Sequence, residues 1–156
     1  MEHKKHILLL TTGGTIASLP GGEGLEPQRS GVMERELEQL RTYYRITVKD
    51  VMCLDSSNIR PEEWKQLARQ IYTLRGGYDG IVVSHGTDTM AYTASAVTFM
   101  LENIDLPVVF TGSQLPLRDV GFLQSWARAM EVSLRLPDNT YAPGPLYIIE
   151  MEVRKG

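Results

Sequence analysis

The 156-residue chain has one cysteine, Cys53, so it cannot form an internal disulfide, and a reducing compartment is the expectation. Its histidines and that cysteine do not fall at metal-ligand spacing, so no metal is expected. Charge of one sign is also lacking. With 16 Lys and Arg against 19 Asp and Glu, the formal net charge is −3, which gives no electrostatic case for nucleic acid or an anionic membrane. No long apolar run is present. The basic start Met1-Glu2-His3-Lys4-Lys5-His6 is followed only by Ile7 to Leu10 before glycines intervene, too short for a signal-peptide core or a membrane span. The expected location is therefore the cytoplasm. The Gly13-Gly14 pair matches neither G-x-G-x-x-G nor a P-loop, because no Gly-Lys-Ser/Thr follows it, so nucleotide binding is disfavoured. Repeats, low-complexity tracts and internal linkers are absent as well.

What is there is 42% hydrophobic and 22% charged, a composition able to build one good core, and residues 1–156 read as a single domain. Ile7-Leu8-Leu9-Leu10, Ile81-Val82-Val83 and Val108-Val109-Phe110 are short continuous apolar runs of the kind that form buried parallel strands. Ile46, Val48 and Val51 suggest a further strand, and residues 146–151 a last one. Between them, helical spacing places Val32, Met33, Leu37 and Leu40 on one helix over 32–43. It places Trp64, Leu67, Ala68 and Ile71 on a helix opened by Pro61, and Met90, Ala94, Val97 and Leu101 on another. A helix is also expected over 122–134. The Gly/Pro-rich stretch from Leu19 to Gly31 reads as a loop, either a lid over the first turn or a plain surface connection. Alternating strands and helices predict an α/β fold: a doubly wound, mainly parallel sheet of about five strands with right-handed crossovers and helices on both faces.

The chemistry-bearing residues cluster where strands end. Gly13-Gly14-Thr15, Asp55-Ser56-Ser57, Gly86-Thr87-Asp88 and Thr111-Gly112-Ser113 follow four successive strands, and such a fold collects its strand ends on one rim. Glycine lets the backbone approach a small ligand and frees N–H groups for a developing oxyanion, each worth roughly 3 kcal/mol in a transition state. A threonine hydroxyl can act as nucleophile once a neighbour takes its proton, and Asp88 is a candidate for that relay. Singly, each cluster reads more readily as turn and cap chemistry, with Thr87 or Asp88 capping the helix that follows. His85, beside a core strand, reads as a structural residue rather than a catalytic one.

Taken together, Thr12-Gly13-Gly14-Thr15-Ile16-Ala17-Ser18, Asp55-Ser56-Ser57-Asn58, His85-Gly86-Thr87-Asp88-Thr89-Met90 and Thr111-Gly112-Ser113-Gln114-Leu115-Pro116-Leu117 resemble, in order and interval, the signature stretches of the bacterial-type L-asparaginase family. Ala91-Tyr92-Thr93-Ala94-Ser95-Ala96 most resembles the cytoplasmic branch. The resemblance implies the family's N-terminal α/β domain and hydrolysis of L-asparagine, with L-glutamine as second candidate substrate, through an acyl-threonine intermediate without cofactor or metal. It matches Thr15 to the nucleophile and Thr87 to the second catalytic threonine, with Asp88 beside it. Ser56 and Ser57, next to Asp55, match positions that hold the substrate α-carboxylate; Asp88 meets the α-ammonium, and the Ser113 backbone lies by the scissile amide. A homo-oligomer, dimer or tetramer, is implied too. The family's C-terminal domain and its lysine are not within these residues, leaving Lys155 as the nearest basic group; Leu25 stands where relatives carry a loop tyrosine, and residues 119–126 depart from the family pattern. The readings to separate are therefore a short asparaginase, an asparagine- or aspartate-binding module with impaired catalysis or a scaffolding role, and one half of a two-domain enzyme.

Overall fold

A computed structural model describes residues 3–14, 18–21, 24–27, 37–38, 40–113 and 145–150. Its main sheet has five strands: β1 (His6–Gly13), β4 (Arg45–Leu54), β5 (Gly80–Ser84), β6 (Val108–Ser113) and β7 (Pro145–Glu150), while β2 (Ser18–Gly21) and β3 (Gly24–Pro27) form a separate ribbon. All pairings within the main sheet are parallel, in the order β4-β1-β5-β6-β7. Counted along the chain among these five, that order is 2-1-3-4-5, and the crossover direction reverses between β1 and β5. The predicted α/β parallel-sheet class is the fold observed.

The apolar runs explain why this sheet is parallel. Ile7, Leu8, Leu9 and Leu10 are all buried, as are Ile81, Val82 and Val83, so successive side chains on both faces are out of water. One face carries Leu8, Leu10, Ile81, Val83, Val108 and Phe110 and packs on two helices, α1 (Pro61–Leu74) and α2 (Met90–Met100). Leu67, Ala68 and Ile71 come from α1, and Met90, Ala94 and Val97 from α2, at the expected helical spacing. Each fully buried Leu, Ile or Phe contributes about 1.5–3 kcal/mol relative to exposure. Trp64, partly buried, donates its indole N–H to Thr93 Oγ1 at 3.0 Å and so ties the two helices. Pro61 occupies the first turn of α1, Glu63 accepts from the Arg60 N–H at 2.7 Å, and Glu62 and Glu63 complement the positive helix end.

Two expectations need correction. The Leu19 to Gly31 stretch is not simply a loop: β2 and β3 pair antiparallel, with Gly21 opposite Gly24. Both strands of an isolated ribbon are edges, where Pro20 and Pro27 need forgo no ladder bond, so composition did not forbid pairing. Thr111, Gly112 and Ser113, read as a turn, continue β6 and stay in register with β7 as far as Glu150. Leu37 and Leu40 are buried and residues 37, 38 and 40 are helical, but 41–43 form a turn, so the helix expected over 32–43 ends short; residues 32–36 and 39 and all of the 122–134 helix lie outside the described residues. Among the described residues no helix is long and apolar enough to cross a membrane.

Leu8→Ala should lower the unfolding free energy by about 2–5 kcal/mol, while Phe99→Ala, on the outer side of α2 at 88% exposure, should stay within about 0.5 kcal/mol. Urea unfolding of the two variants checks this; equal losses would contradict the core as described.

Candidate active site

At the crossover reversal between β1 and β5 the carboxyl ends of the strands pack through residues without side chains. Gly13 and Gly14 close β1 with φ of 96° and 85°, which L side chains rarely adopt. A Cβ added to Gly14 would lie 2.6 Å from both Cα and N of Gly86, and one on Gly86 would lie 2.6 Å from Cβ and Oγ of Ser56. A Cβ on Gly112 would run into the His85 carbonyl oxygen and sit 3.4 Å from Thr87 Cγ2. The ends of β1, β4, β5 and β6 therefore meet in direct backbone contact.

Hydrogen bonds lock these turns from beneath. Asp55 Oδ1 accepts from the Ser57 N–H at 2.9 Å and its hydroxyl at 2.8 Å, forming the 3-10 turn Ser56–Asn58. Those two donors, the backbone one first, hold the Asp55 carboxyl below the usual carboxylate range. Thr89 Oγ1 donates to the Ser56 carbonyl at 2.8 Å, joining the turn after β5 to the turn after β4. Thr12 Oγ1 donates to the Ser84 carbonyl at 2.8 Å.

The capping alternative for Thr87 and Asp88 fails. The N-cap of α2 is Thr89, and no side chain caps that helix end. Thr87 is half-buried and Asp88 exposed, and among the described residues neither side chain is engaged in a hydrogen bond or ion pair. Ser56 is buried, with its hydroxyl against Gly86. The structure thus brings Asp55, Ser56 and Ser57 to the turn that carries Thr87 and Asp88. Thr15 and Lys155 lie outside the described residues, and for Leu25 and Ser113 only the strand backbone is described.

His85 takes the structural place expected of it, in a setting that composition did not reveal. It is fully buried, its Nδ1 is 2.7 Å from the Gly86 carbonyl oxygen, and its ring stands 6.4 Å from that of Phe110. Burial pushes its pKa down and the Gly86 hydrogen bond opposes this more weakly, so the ring is neutral with Nδ1–H as the donor. Among the described residues His85 Nε2, Ser84 Oγ and Thr111 Oγ1 are buried without partners. Ser84 and Thr111 belong to a polar row across one level of the sheet, Asp50-Thr11-Ser84-Thr111, in which Thr11 donates to Asp50 at 2.6 Å. The signal was visible as the polar residue that ends each apolar run: Leu10-Thr11, Val83-Ser84, Phe110-Thr111.

In an open parallel sheet the strand ends at the crossover reversal are where small polar ligands bind, and here they carry hydroxyls, close-packed glycines and an acid without a partner among the described residues. Comparison with known proteins narrows the class. The family model "Asparaginase, N-terminal" matches residues 6–122, and the chain belongs to that family. It is 43% identical over 123 residues to L-asparaginase 1 of Escherichia coli, covering 75% of this chain and 36% of that one. It is 39% identical over 117 residues to a glutamyl-tRNA(Gln) amidotransferase component from Methanosphaera stadtmanae, covering 72% of this chain and 26% of that protein. The crystal structure of a probable cytoplasmic L-asparaginase from Campylobacter jejuni superposes with a TM-score of 0.79 at 29% identity, covering 92% of this chain and 46% of that one. The chain spans about a third of the length of the curated asparaginases it matches.

Gly14→Ala should cost about 2–4 kcal/mol of stability, since strain at positive φ adds to the clash with Gly86, whereas Gly76→Ala, with nothing within 4 Å, should cost under about 1 kcal/mol. Thermal or urea midpoints of the pair check the stacking of the turns. Because the folded-state pKa of His85 lies below its unfolded value, the unfolded chain takes up the proton first, and stability falls as pH drops below about 6.5. His6 shifts in the same direction. The fall in melting temperature between pH 7.5 and 5 should therefore be smaller in His85→Gln than in the parent; an unchanged fall would contradict the buried neutral ring.

Proposed function

We propose that this chain supplies the strand-end site of an amidohydrolase that converts L-asparagine to L-aspartate and ammonia, with L-glutamine as the weaker candidate. The observation that carries the reading is the Thr87-Asp88 pair, held at the crossover reversal by Thr89 and Gly86 yet with neither side chain bonded among the described residues. A zwitterionic amino acid needs a carboxylate for its ammonium and hydroxyl or amide donors for its carboxylate. Asp88 meets the first need, and Ser56 and Ser57 are the donors for the second, Ser57 by turning its hydroxyl from Asp55 to the ligand.

In this reading Thr15 Oγ attacks the side-chain carbonyl carbon, N–H groups of the glycine turns stabilise the oxyanion, and ammonia leaves with the proton displaced from the hydroxyl. Thr87, with Asp88 beside it, passes that proton. Water then opens the acyl-threonine ester, giving the aspartate carboxylate and restoring the Thr15 hydroxyl. The Ser113 backbone lies by the scissile amide. Family membership and the 43% identity to an asparaginase support the substrate class. The similarity to an amidotransferase component supports a second reading in which the released ammonia is used by a partner rather than discharged.

Ammonia release from L-asparagine is the test. Thr15→Ala should abolish it, Thr87→Val should lower kcat by roughly 10²–10⁴, and Asp88→Asn should raise KM. Saturable asparagine binding with turnover equal in parent and both threonine variants would replace the enzyme by a binding module.

A further inference from the structure

Thr89 stands at the N-cap position of α2, a place where threonine ordinarily turns its hydroxyl onto the first helical amides. It does not do so here. Its backbone, at φ −124° and ψ 13°, lies outside the extended region typical of a capping residue, and no side chain bonds the helix end. The hydroxyl donates instead to the Ser56 carbonyl at 2.8 Å, 33 residues away in sequence. That carbonyl already has a donor, the Ile59 N–H at 3.2 Å, which closes the turn of Ser56–Asn58. The helix end therefore goes without its cap for a bond that rescues no orphaned acceptor.

The placement of that bond gives it a use. Ser56 is gripped twice by the segment after β5: Gly86 lies so close that a Cβ on it would be 2.6 Å from Ser56 Oγ, and Thr89 holds the Ser56 carbonyl. Thr87 and Asp88 are the two residues suspended between those grips. At the Gly86 end, the His85 N–H donates to the Thr111 carbonyl at 2.9 Å and the His85 ring bonds the Gly86 carbonyl at 2.7 Å. At the other end Met90 is buried in the core, but among the described residues only the Thr89 hydroxyl hydrogen-bonds residues 86–90 to residues 55–58.

We propose that Thr89 is a positioning residue for the amino acid ligand: its bond to Ser56 sets the separation between Asp88, which takes the α-ammonium, and the Ser56 and Ser57 donors, which take the α-carboxylate. This role rests on the amino acid binding proposed above. Both charged groups hang from one carbon, so the groups that receive them must be held at one separation, and a slack segment has to be ordered at the expense of affinity. Neither charged group changes during amide hydrolysis. Their contacts are therefore equal in ground and transition states, and loosening them raises KM rather than lowering kcat.

Initial-rate kinetics with L-asparagine and calorimetric titration with L-aspartate, on the parent, Thr89→Val, Thr89→Ser and Thr93→Val, test it. Thr89→Val removes the hydroxyl at similar volume and should raise KM and the aspartate Kd roughly three- to tenfold, the effect of one net hydrogen bond, with kcat within about twofold. Thr89→Ser keeps the donor and should restore both constants. Thr93→Val is the structural control: it removes from the same helix the hydroxyl that accepts from Trp64 at 3.0 Å, and should lower the melting temperature with KM and Kd at parent values. With a parent that binds, unchanged constants in Thr89→Val, no restoration in Thr89→Ser, or an equal rise in Thr93→Val would overturn the role of Thr89 alone. If the parent binds aspartate without releasing ammonia, hydrolysis fails alone and the Kd series still decides for or against Thr89. A parent that neither binds aspartate nor releases ammonia overturns the amidohydrolase and the role of Thr89 together.

Discussion

The structure depends on one steric constraint: three turns from distant parts of the chain share a space that admits no side chain at Gly14 or Gly86. A Cβ at Gly14 would strike the Gly86 backbone, and one at Gly86 would strike Ser56, so the ends of β1, β5 and β4 interlock as a stack. The parallel sheet puts strand ends on one rim, but a rim alone leaves turns several ångströms apart, since neighbouring strands are spaced by about 4.8 Å. Removing side chains at the contact converts the rim into a small pocket floor. Thr89, by donating to the Ser56 carbonyl, ties that floor to the start of α2.

The division of labour among the polar residues follows. Asp55, Ser57, Thr12 and Thr89 commit hydrogen bonds to holding turns in place. Among the described residues Thr87 and Asp88 commit none, although they sit in the same loop. An exposed or half-exposed polar side chain costs little when solvated, so their freedom is no defect, and it leaves them available to a ligand. Beneath them the neutral His85 ring bonds the Gly86 carbonyl and stiffens the turn from the core side.

Much of this was legible in the amino-acid order because burial on both faces writes parallel strands as unbroken apolar runs, and Ile7–Leu10, Ile81–Val83 and Val108–Phe110 are such runs. The helices α1 and α2 were legible through Leu67, Ala68 and Ile71, and through Met90, Ala94 and Val97, because periodicity reports the face that packs. The β2-β3 ribbon was not, since glycine and proline signal turns without revealing that the segments between them pair. Nor could composition tell that neither Thr87 nor Asp88 caps α2; the N-cap position falls to Thr89, whose hydroxyl goes instead to the Ser56 carbonyl, 33 residues away in sequence.

The most direct measurement of the central claim is a backbone-amide NMR titration of the chain with L-aspartate, the product that a shared pocket would hold. The account predicts that the amides of Gly14, Ser56, Ser57, Thr87 and Asp88 shift together along one binding curve, and that Gly86→Ala removes the response at all of them at once. Shifts that follow separate curves, or that persist unchanged in Gly86→Ala, would show that these turns do not form one site.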